Sequence, residues 1–288
     1  MPHDPRHVMP DELRGLPYAP ELEIAIEAAL DAGRIQLDRL GRLERIVHKS
    51  AKDVVTESDH ASEEAILSLI RAAFPSDHVL AEESGHSSAA GGAPQDGSAA
   101  AGTVDPNHRI WIVDPLDGTV NYANALPFYC VSIALAVGGR PVVGVVLDPS
   151  RGDLYLAHAG AGAFRDGQRV RDPAKPRLED VVCHLSLPRR GYVRREAALV
   201  RSIRVARNFG SAALALSYTA EGRFDAYIQH GGLSLWDIAA AGLIAEEGGM
   251  RVTDVAGGPW FALSMASRSI GIVAASPAHH GRFLDLIR

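Results

Sequence analysis

Two carboxylates three residues apart, Asp114 and Asp117, close an apolar run in the stretch Trp111-Ile112-Val113-Asp114-Pro115-Leu116-Asp117-Gly118-Thr119-Val120-Asn121. Their oxygens are hard ligands suited to a divalent cation. A Gly-Thr step at a helix start would add backbone amides suited to a phosphate. Pro115 disfavours the helical region for Asp114, so the Asp114 carboxylate projects from an extended strand end. Gly118 carries no Cβ, which lets a bulky anion approach the main chain. The same residues, Asp-Pro-x-Asp-Gly, also compose an ordinary surface turn. Partners elsewhere in the chain must decide between the two readings.

Three further segments offer a carboxylate at an element boundary, where functional residues tend to sit. Glu82 ends a short strand, Asp237 follows Trp236 at a helix start, and Asp59 closes the run Asp53-Val54-Val55-Thr56-Glu57-Ser58-Asp59. Standing alone, Asp59 and Asp237 read equally well as helix N-caps, and Glu82 as a solvated strand end; Glu83 and Glu57 read as solvated. If the segments converge, the carboxylates cannot all stay ionised in a cleft without cations. An all-oxygen donor set with few His or Cys partners selects Mg²⁺ or Mn²⁺ over zinc. Two such ions would suit an in-line phosphoryl displacement.

The elements that must position these groups are legible from periodicity. Glu21 to Leu40 carries a helical stripe at Leu22, Ile26, Ala29, Leu30, Leu37 and Leu40. Asp59 to Phe74 repeats it, with Ser58 or Asp59 as the cap and Pro75 beyond the end. Strands are expected at 78–81, 109–113, 130–137, 142–147 and 153–158. In the second half, strands are expected at 181–185, 250–253, 270–274 and over Asp225–Gln229, the last leading through a Gly-Gly turn into Trp236-Asp237. Helices are expected at 193–203, 211–219, from Asp237 to Glu247, and from 277. Residues 1–19 read as a flexible extension. The stretch 85–108 is Gly/Ala/Ser-rich and reads as a flexible loop. Residues 20–159 and 160–288 form the two halves of one domain. Strands and helices mix without strict βαβ alternation, which favours an α+β or α/β layered arrangement over a single doubly wound sheet.

Composition bounds the partners. The 288 residues carry a formal net charge of −6, 47% hydrophobic and 22% charged residues, which describes an ordinary globular chain. That balance leaves no footprint for a phosphate backbone, so nucleic acid is not expected as a partner. It also makes a phosphorylated substrate awkward unless cations or amides offset the charge. Two cysteines are too few for a disulfide framework, and neither a signal peptide nor a membrane span is apparent; a cytoplasmic location follows as the expectation. Cys183 and Arg189 fit the C-x5-R spacing of cysteine phosphatases, but the residues between contain no Gly, so Cys183 reads as structural. Two intervening residues between Asp114 and Asp117 exclude the aspartyl-phosphate enzymes, which need one.

Asp114-Pro-Leu-Asp-Gly-Thr-Val-Asn121 and Trp236-Asp-Ile-Ala-Ala-Ala-Gly-Leu-Ile-Ala-Glu-Glu-Gly-Gly249 resemble the two signatures of the inositol monophosphatase family. Glu82-Glu83-Ser84 and Asp53-x-Val-Thr-x-x-Asp59 match in the right order, and the resemblance runs from about residue 20 to the C-terminus. It implies an αβαβα sandwich, shared with the fructose-1,6-bisphosphatases, and a homodimer. It implies two or three Mg²⁺ ions, with Mn²⁺ as a substitute, held by Glu82, Asp114, the Leu116 carbonyl, Asp117 and Asp237, with Asp114 bridging. Thr119, supported by Asp59, would orient the nucleophilic water, these two and Glu82 being the catalytic residues. The Gly118 and Thr119 amides would receive phosphate, and Gly210-Ser211-Ala212 would touch the substrate alcohol. Inositol-selective members carry a Glu on the strand before Trp-Asp; here Gln229 or His230 takes that place, one residue being inserted. A Gln bonds hydroxyls without charge assistance. The expected function is therefore a Mg²⁺-dependent phosphomonoesterase acting on an inositol monophosphate-like alcohol by direct attack of activated water. Histidinol phosphate, another sugar or polyol phosphate, and a nucleotide 3′-phosphate are the alternative substrates. A regulatory binding protein of the transcription machinery is the alternative of another class.

Overall fold

The computed structural model describes residues 9–42, 46–50, 53–87, 109–171, 174–186 and 193–287. Helix α1 (Ala19–Arg39) and helix α2 (Glu57–Ala73) bracket a hairpin of β1 (Ile46–Ser50) and β2 (Asp53–Thr56). Of the stripe expected on α1, Leu22, Ile26 and Ala29 are buried, together with Ala25 and Ala32, while Leu30 and Leu40 are half-buried and Leu37 is exposed. The buried face runs on instead to a polar residue, Gln36. An eight-stranded sheet follows, from β3 (His78–Ala81), β4 (Gly85–Ser87), β5 (Ile110–Asp117), β6 (Cys130–Val137), β7 (Arg140–Asp148), β8 (Asp153–His158), β9 (Gly162–Arg165) and β10 (Gln168–Arg169). Its order is β10-β9-β8-β7-β6-β5-β3-β4, with β3 and β5 parallel and every other pair antiparallel. A one-turn helix, α3 (Thr119–Ala123), leaves the end of β5.

The second half builds a five-stranded sheet from β11 (Val182–Ser186), β12 (Val205–Arg207), β13 (Ala226–Leu233), β14 (Arg251–Thr253) and β15 (Ile270–Ala275), ordered β12-β11-β13-β15-β14. Its helices are α4 (Val193–Ser202), α5 (Ala212–Ala220), α6 (Leu235–Glu247) and α7 (Pro277–Ile287). Helices α1 and α2 cover the outer face of the large sheet, α5 and α6 lie between the sheets, and α4 and α7 close the far side of the small sheet. This is the expected αβαβα layering. Sandwiched between two sheets, α6 has to be apolar all round, and Ile238, Ala239, Ala240, Ala241, Leu243 and Ile244 are all buried. It packs so closely on β7 that a Cβ on Gly144 would lie 2.8 Å from the Ala240 carbonyl oxygen.

Several local expectations change. Strand β5 runs on through Asp114-Pro115-Leu116-Asp117, so this segment is not a turn. The Gly231-Gly232 step is not a turn either: it lies inside β13, whose pairing with β15 slips between Gln229 and Leu233. Thr56, not Ser58 or Asp59, caps α2. Gly85–Ser87, at the start of the stretch read as a loop, forms β4 against β3; residues 88–108 lie outside the described residues. Within the expected N-terminal extension, Asp11–Leu13 form a 3-10 turn with Met9 and Leu13 buried, while His3 and His7 lie outside the described residues. No helix among the described residues is long and apolar enough to cross a membrane.

Candidate metal centre

A slip in β5 assembles the centre. Asp114 pairs with Ser132 of β6 and Asp117 with Cys130, so two residues on β5, Pro115 and Leu116, oppose one on β6, Val131. Side chains three apart on a regular strand point to opposite faces. The extra residue of the bulge restores the phase and puts both carboxylates on one face. Ligand oxygens of Asp114, Asp117 and Asp237 come within 4.8 Å of one another. Asp114 is 1% and Asp117 8% exposed. Glu82, half-buried, extends β3 by donating its N–H to the Val113 carbonyl at 3.1 Å. With Leu116, Gly118 and Thr119 it lines the same cleft of about 190 Å³.

Asp59 and Asp237 are cap residues as well as site residues. Each sits at the third helical position and reaches back to the residue before its helix. Asp59 Oδ2 accepts the Thr56 N–H at 2.8 Å and the Thr56 hydroxyl at 2.6 Å; Asp237 Oδ2 accepts the Ser234 N–H at 2.6 Å. This is the capping-box geometry, and it occupies one oxygen of each carboxylate. The other oxygen of Asp59 accepts the Thr119 hydroxyl at 3.0 Å, which also lies 3.0 Å from the Leu116 carbonyl. Asp59 thus stands behind Thr119, outside the three-carboxylate cluster.

Charge makes the cluster costly. Burial, then Glu82, Asp117 and Asp237, push Asp114 well above the usual carboxylate range. Burial, then Asp117, does the same to Asp237, against the Ser234 N–H, with Glu82 adding to the rise and Arg268 opposing it. Asp117 is also raised by burial, tempered by hydrogen bonds from Ser211, Ala213 and Cys130. Close, desolvated carboxylates with no nitrogen or thiolate donor in the cluster suit a hard divalent cation, so the residues fit the ion that the sequence suggests.

The expected substrate residues separate. Gly210 lines the cleft. Ser211 instead donates to Asp117 Oδ2 at 2.6 Å, and Ala213 N–H donates to the same oxygen at 2.7 Å. Ala212 is the first residue of α5. Gln229 accepts the Tyr227 hydroxyl at 2.6 Å and donates to the Gly231 carbonyl at 3.1 Å. Neither Gln229 nor His230 is among the residues lining the cleft, whereas Gly232, Val120 and Trp236 are. Gly118 has a reason beyond anion access: its φ is +96°, and a Cβ would lie 3.0 Å from the Phe128 carbonyl oxygen.

Two contributors escaped sequence reasoning. Glu63 of α2 accepts the Glu83 and Ser84 N–H groups at 2.9 and 3.0 Å, fixing the turn that carries Glu82. Its place one helical turn after Asp59 was the available signal. Arg268 is the one cationic side chain lining the cleft among the described residues. Glu83 is half-buried and raises Asp59, while Glu57 is exposed as expected. Cys183 is fully buried, and burial pushes its thiol up, away from thiolate chemistry.

Fold and site define a class of protein: a layered α/β sandwich with three converging carboxylates, Asp114 and Asp117 buried and Asp237 half-buried, at a strand end. The chain belongs to the inositol monophosphatase family, whose family model matches residues 18–288. The Nus factor SuhB of Pseudomonas aeruginosa is 36% identical over 248 residues, covering 83% of this chain and 86% of that protein. The inositol-1-monophosphatase of Mesorhizobium japonicum is 36% identical over 245 residues, covering 82% and 86%. Among solved structures, the extragenic suppressor protein suhB of Bartonella henselae superposes with a TM-score of 0.81 at 30% identity, covering 93% of this chain and 98% of that one. The inositol monophosphatase of Anabaena superposes with a TM-score of 0.74 at 32% identity, covering 93% and 94%.

Proposed function

We propose that this chain is a Mg²⁺-dependent phosphomonoesterase that hydrolyses a small phosphorylated alcohol by direct attack of water. The observation that carries the reading is the convergence of Asp114 and Asp117, both buried, and half-buried Asp237 on one cleft. With Glu82 and the Leu116 carbonyl they would hold the ions. When bound, such ions supply Lewis-acid polarisation of the phosphate and lower the pKa of water, leaving a protein group to take its proton.

The protein's own groups do the rest. The Thr119 hydroxyl donates to Asp59, which leaves its oxygen, at the edge of the cleft, able to accept a hydrogen bond from the attacking water. Burial raises Asp59 despite the Thr56 hydrogen bonds, bringing it closer to the acidity at which a carboxylate serves as a proton acceptor. Gly118 and Thr119 line the cleft where a phosphoryl oxygen would meet main-chain amides. The alcohol would emerge past Gly210, Gly232, Val120 and Trp236. Because Gln229 spends both polar atoms within its own strand, selection for inositol hydroxyls draws no support from that position.

Relatives named Nus factor SuhB favour a second reading, assembly with a macromolecular partner, and remove support from the exclusion of nucleic acid-associated partners. Retention of all the expected carboxylates favours hydrolysis as a function in its own right.

Phosphate release from a panel of phosphate esters, with Mg²⁺ and with chelator, tests the proposal. Turnover of at least one small ester is expected with Mg²⁺ only. Asp114→Asn and Asp237→Asn should each lower it by more than about a hundredfold, exceeding the effect typical of groups that merely support ligands, with the fold retained. Substantial activity in either purified variant would sink the metal assignment.

A further inference from the structure

Gln36 is a polar side chain, 0% exposed, on a helix whose buried face is otherwise apolar from Leu22 to Gly33. Its Nε2 donates to the Pro115 carbonyl at 2.7 Å. That carbonyl and the Leu116 N–H belong to one peptide unit, and the Leu116 N–H donates to Asp114 Oδ1 at 3.0 Å. The planar peptide transmits orientation, so the Gln36 amide, the peptide and the Asp114 carboxylate form one chain of hydrogen bonds, each polarising the next.

The backbone carbonyl of Gln36 anchors a second arm. It accepts the Tyr122 hydroxyl at 2.7 Å, and that hydroxyl lies 2.9 Å from Ser58 Oγ. A phenol has one proton, and a carbonyl has none to give. Ser58 is therefore the donor to Tyr122. Ser58 adjoins Asp59, the acceptor for Thr119. One residue of α1 is thus connected to both the metal cluster and the proton-accepting pair.

Stability alone does not account for this residue. Gln36 Oε1 is buried and has no hydrogen-bond partner among the described residues, which costs free energy that an apolar side chain of similar volume would not. We propose that Gln36 is a positioning residue of the metal centre, holding the Pro115–Leu116 peptide so that Asp114 presents its carboxylate to the cation. The proposal rests on the metal reading above.

The test compares the full chain with Gln36→Met, which keeps the volume and removes the donor, and Gln36→Asn, which keeps the amide but is one carbon short. Calorimetric Mg²⁺ binding and metal-free melting are measured on each. The expected result is Mg²⁺ affinity lowered roughly ten- to a hundredfold in both variants, the range for groups that orient metal ligands. Metal-free Gln36→Met should melt no lower than the parent. Affinity within twofold of the parent in both variants would overturn the proposal. So would a Gln36→Met that melts lower or fails to fold while Gln36→Asn binds Mg²⁺ normally, since the amide would then serve the fold. Absence of Mg²⁺ binding to the parent would instead overturn the metal reading itself.

Discussion

At the scale of single residues, the centre stores like charge that the folded chain would rather not hold. Asp114, Asp117 and Asp237 are all raised by burial before any neighbour acts. An unfolded carboxyl releases its proton near pH 4, while these resist until higher pH. In the metal-free protein these three groups therefore contribute a loss of stability as pH rises above about 4. Asp114→Asn, which removes one of these charges, should melt several degrees higher than the parent at pH 7 in chelator, at about 2–4 °C per kcal/mol. The gap should narrow toward pH 4.5, and a gap independent of pH would show that ionised Asp114 is not its source. His184 works in the opposite direction. Burial lowers its imidazole to about 4, so its contribution is complete above about 6.5 and is lost as pH falls toward 4. Its Nε2 accepts the Phe209 N–H at 3.1 Å, next to Gly210 of the cleft. A nuclear magnetic resonance titration should find the ring neutral at pH 5.5, and a protonated ring there would contradict the assigned burial.

At the scale of elements, regular features were legible and irregular ones were not. Strands β3, β6 and β8 fall at their expected residues, and the first part of the α1 stripe, Leu22, Ile26 and Ala29, is buried, because alternation and 3.6-residue spacing follow directly from what each element buries. The stripe does not reach Leu37, which is exposed. The bulge in β5 left no such trace. Asp-Pro-x-Asp-Gly satisfies turn chemistry and strand continuation equally, and the pairing with Ser132 and Cys130 decided it. The acids of the site were legible as residue types at boundaries. Gln36, Glu63 and the Asp117-directed role of Ser211 were not, because their significance depends on which backbone groups the fold brings to them. Two variants probe these elements. Gly118→Ala places a side chain at φ +96° and against the Phe128 carbonyl; it should cost about 2–4 kcal/mol in denaturant unfolding. Glu63→Ala releases the Glu83 and Ser84 amides. It should raise the Mg²⁺ concentration for half-maximal turnover about tenfold, a shift measurable in a metal titration with ester in excess.

At the scale of the molecule, the site lies where the layers meet. Asp59 comes from α2 on the outer face, Asp114 and Asp117 from the large sheet, and Asp237 from α6 in the middle layer. A ligand for this cluster therefore joins layers, and 100-fold excess of Mg²⁺ over its dissociation constant should add about 2.7 kcal/mol to the stability of the whole. Differential scanning calorimetry with and without chelator would measure that increment, and an unchanged midpoint would argue against cation binding. The two capping boxes carry a further consequence. Because Asp59 and Asp237 each accept the backbone N–H of their cap residue, the amides of Thr56 and Ser234 are built-in gauges of carboxylate charge, one beside each acid. In an amide-resolved spectrum, the Ser234 signal should move as cation is added. The Thr56 signal should follow the protonation of Asp59, so one sample would read cation occupancy and Asp59 protonation through two separate peaks.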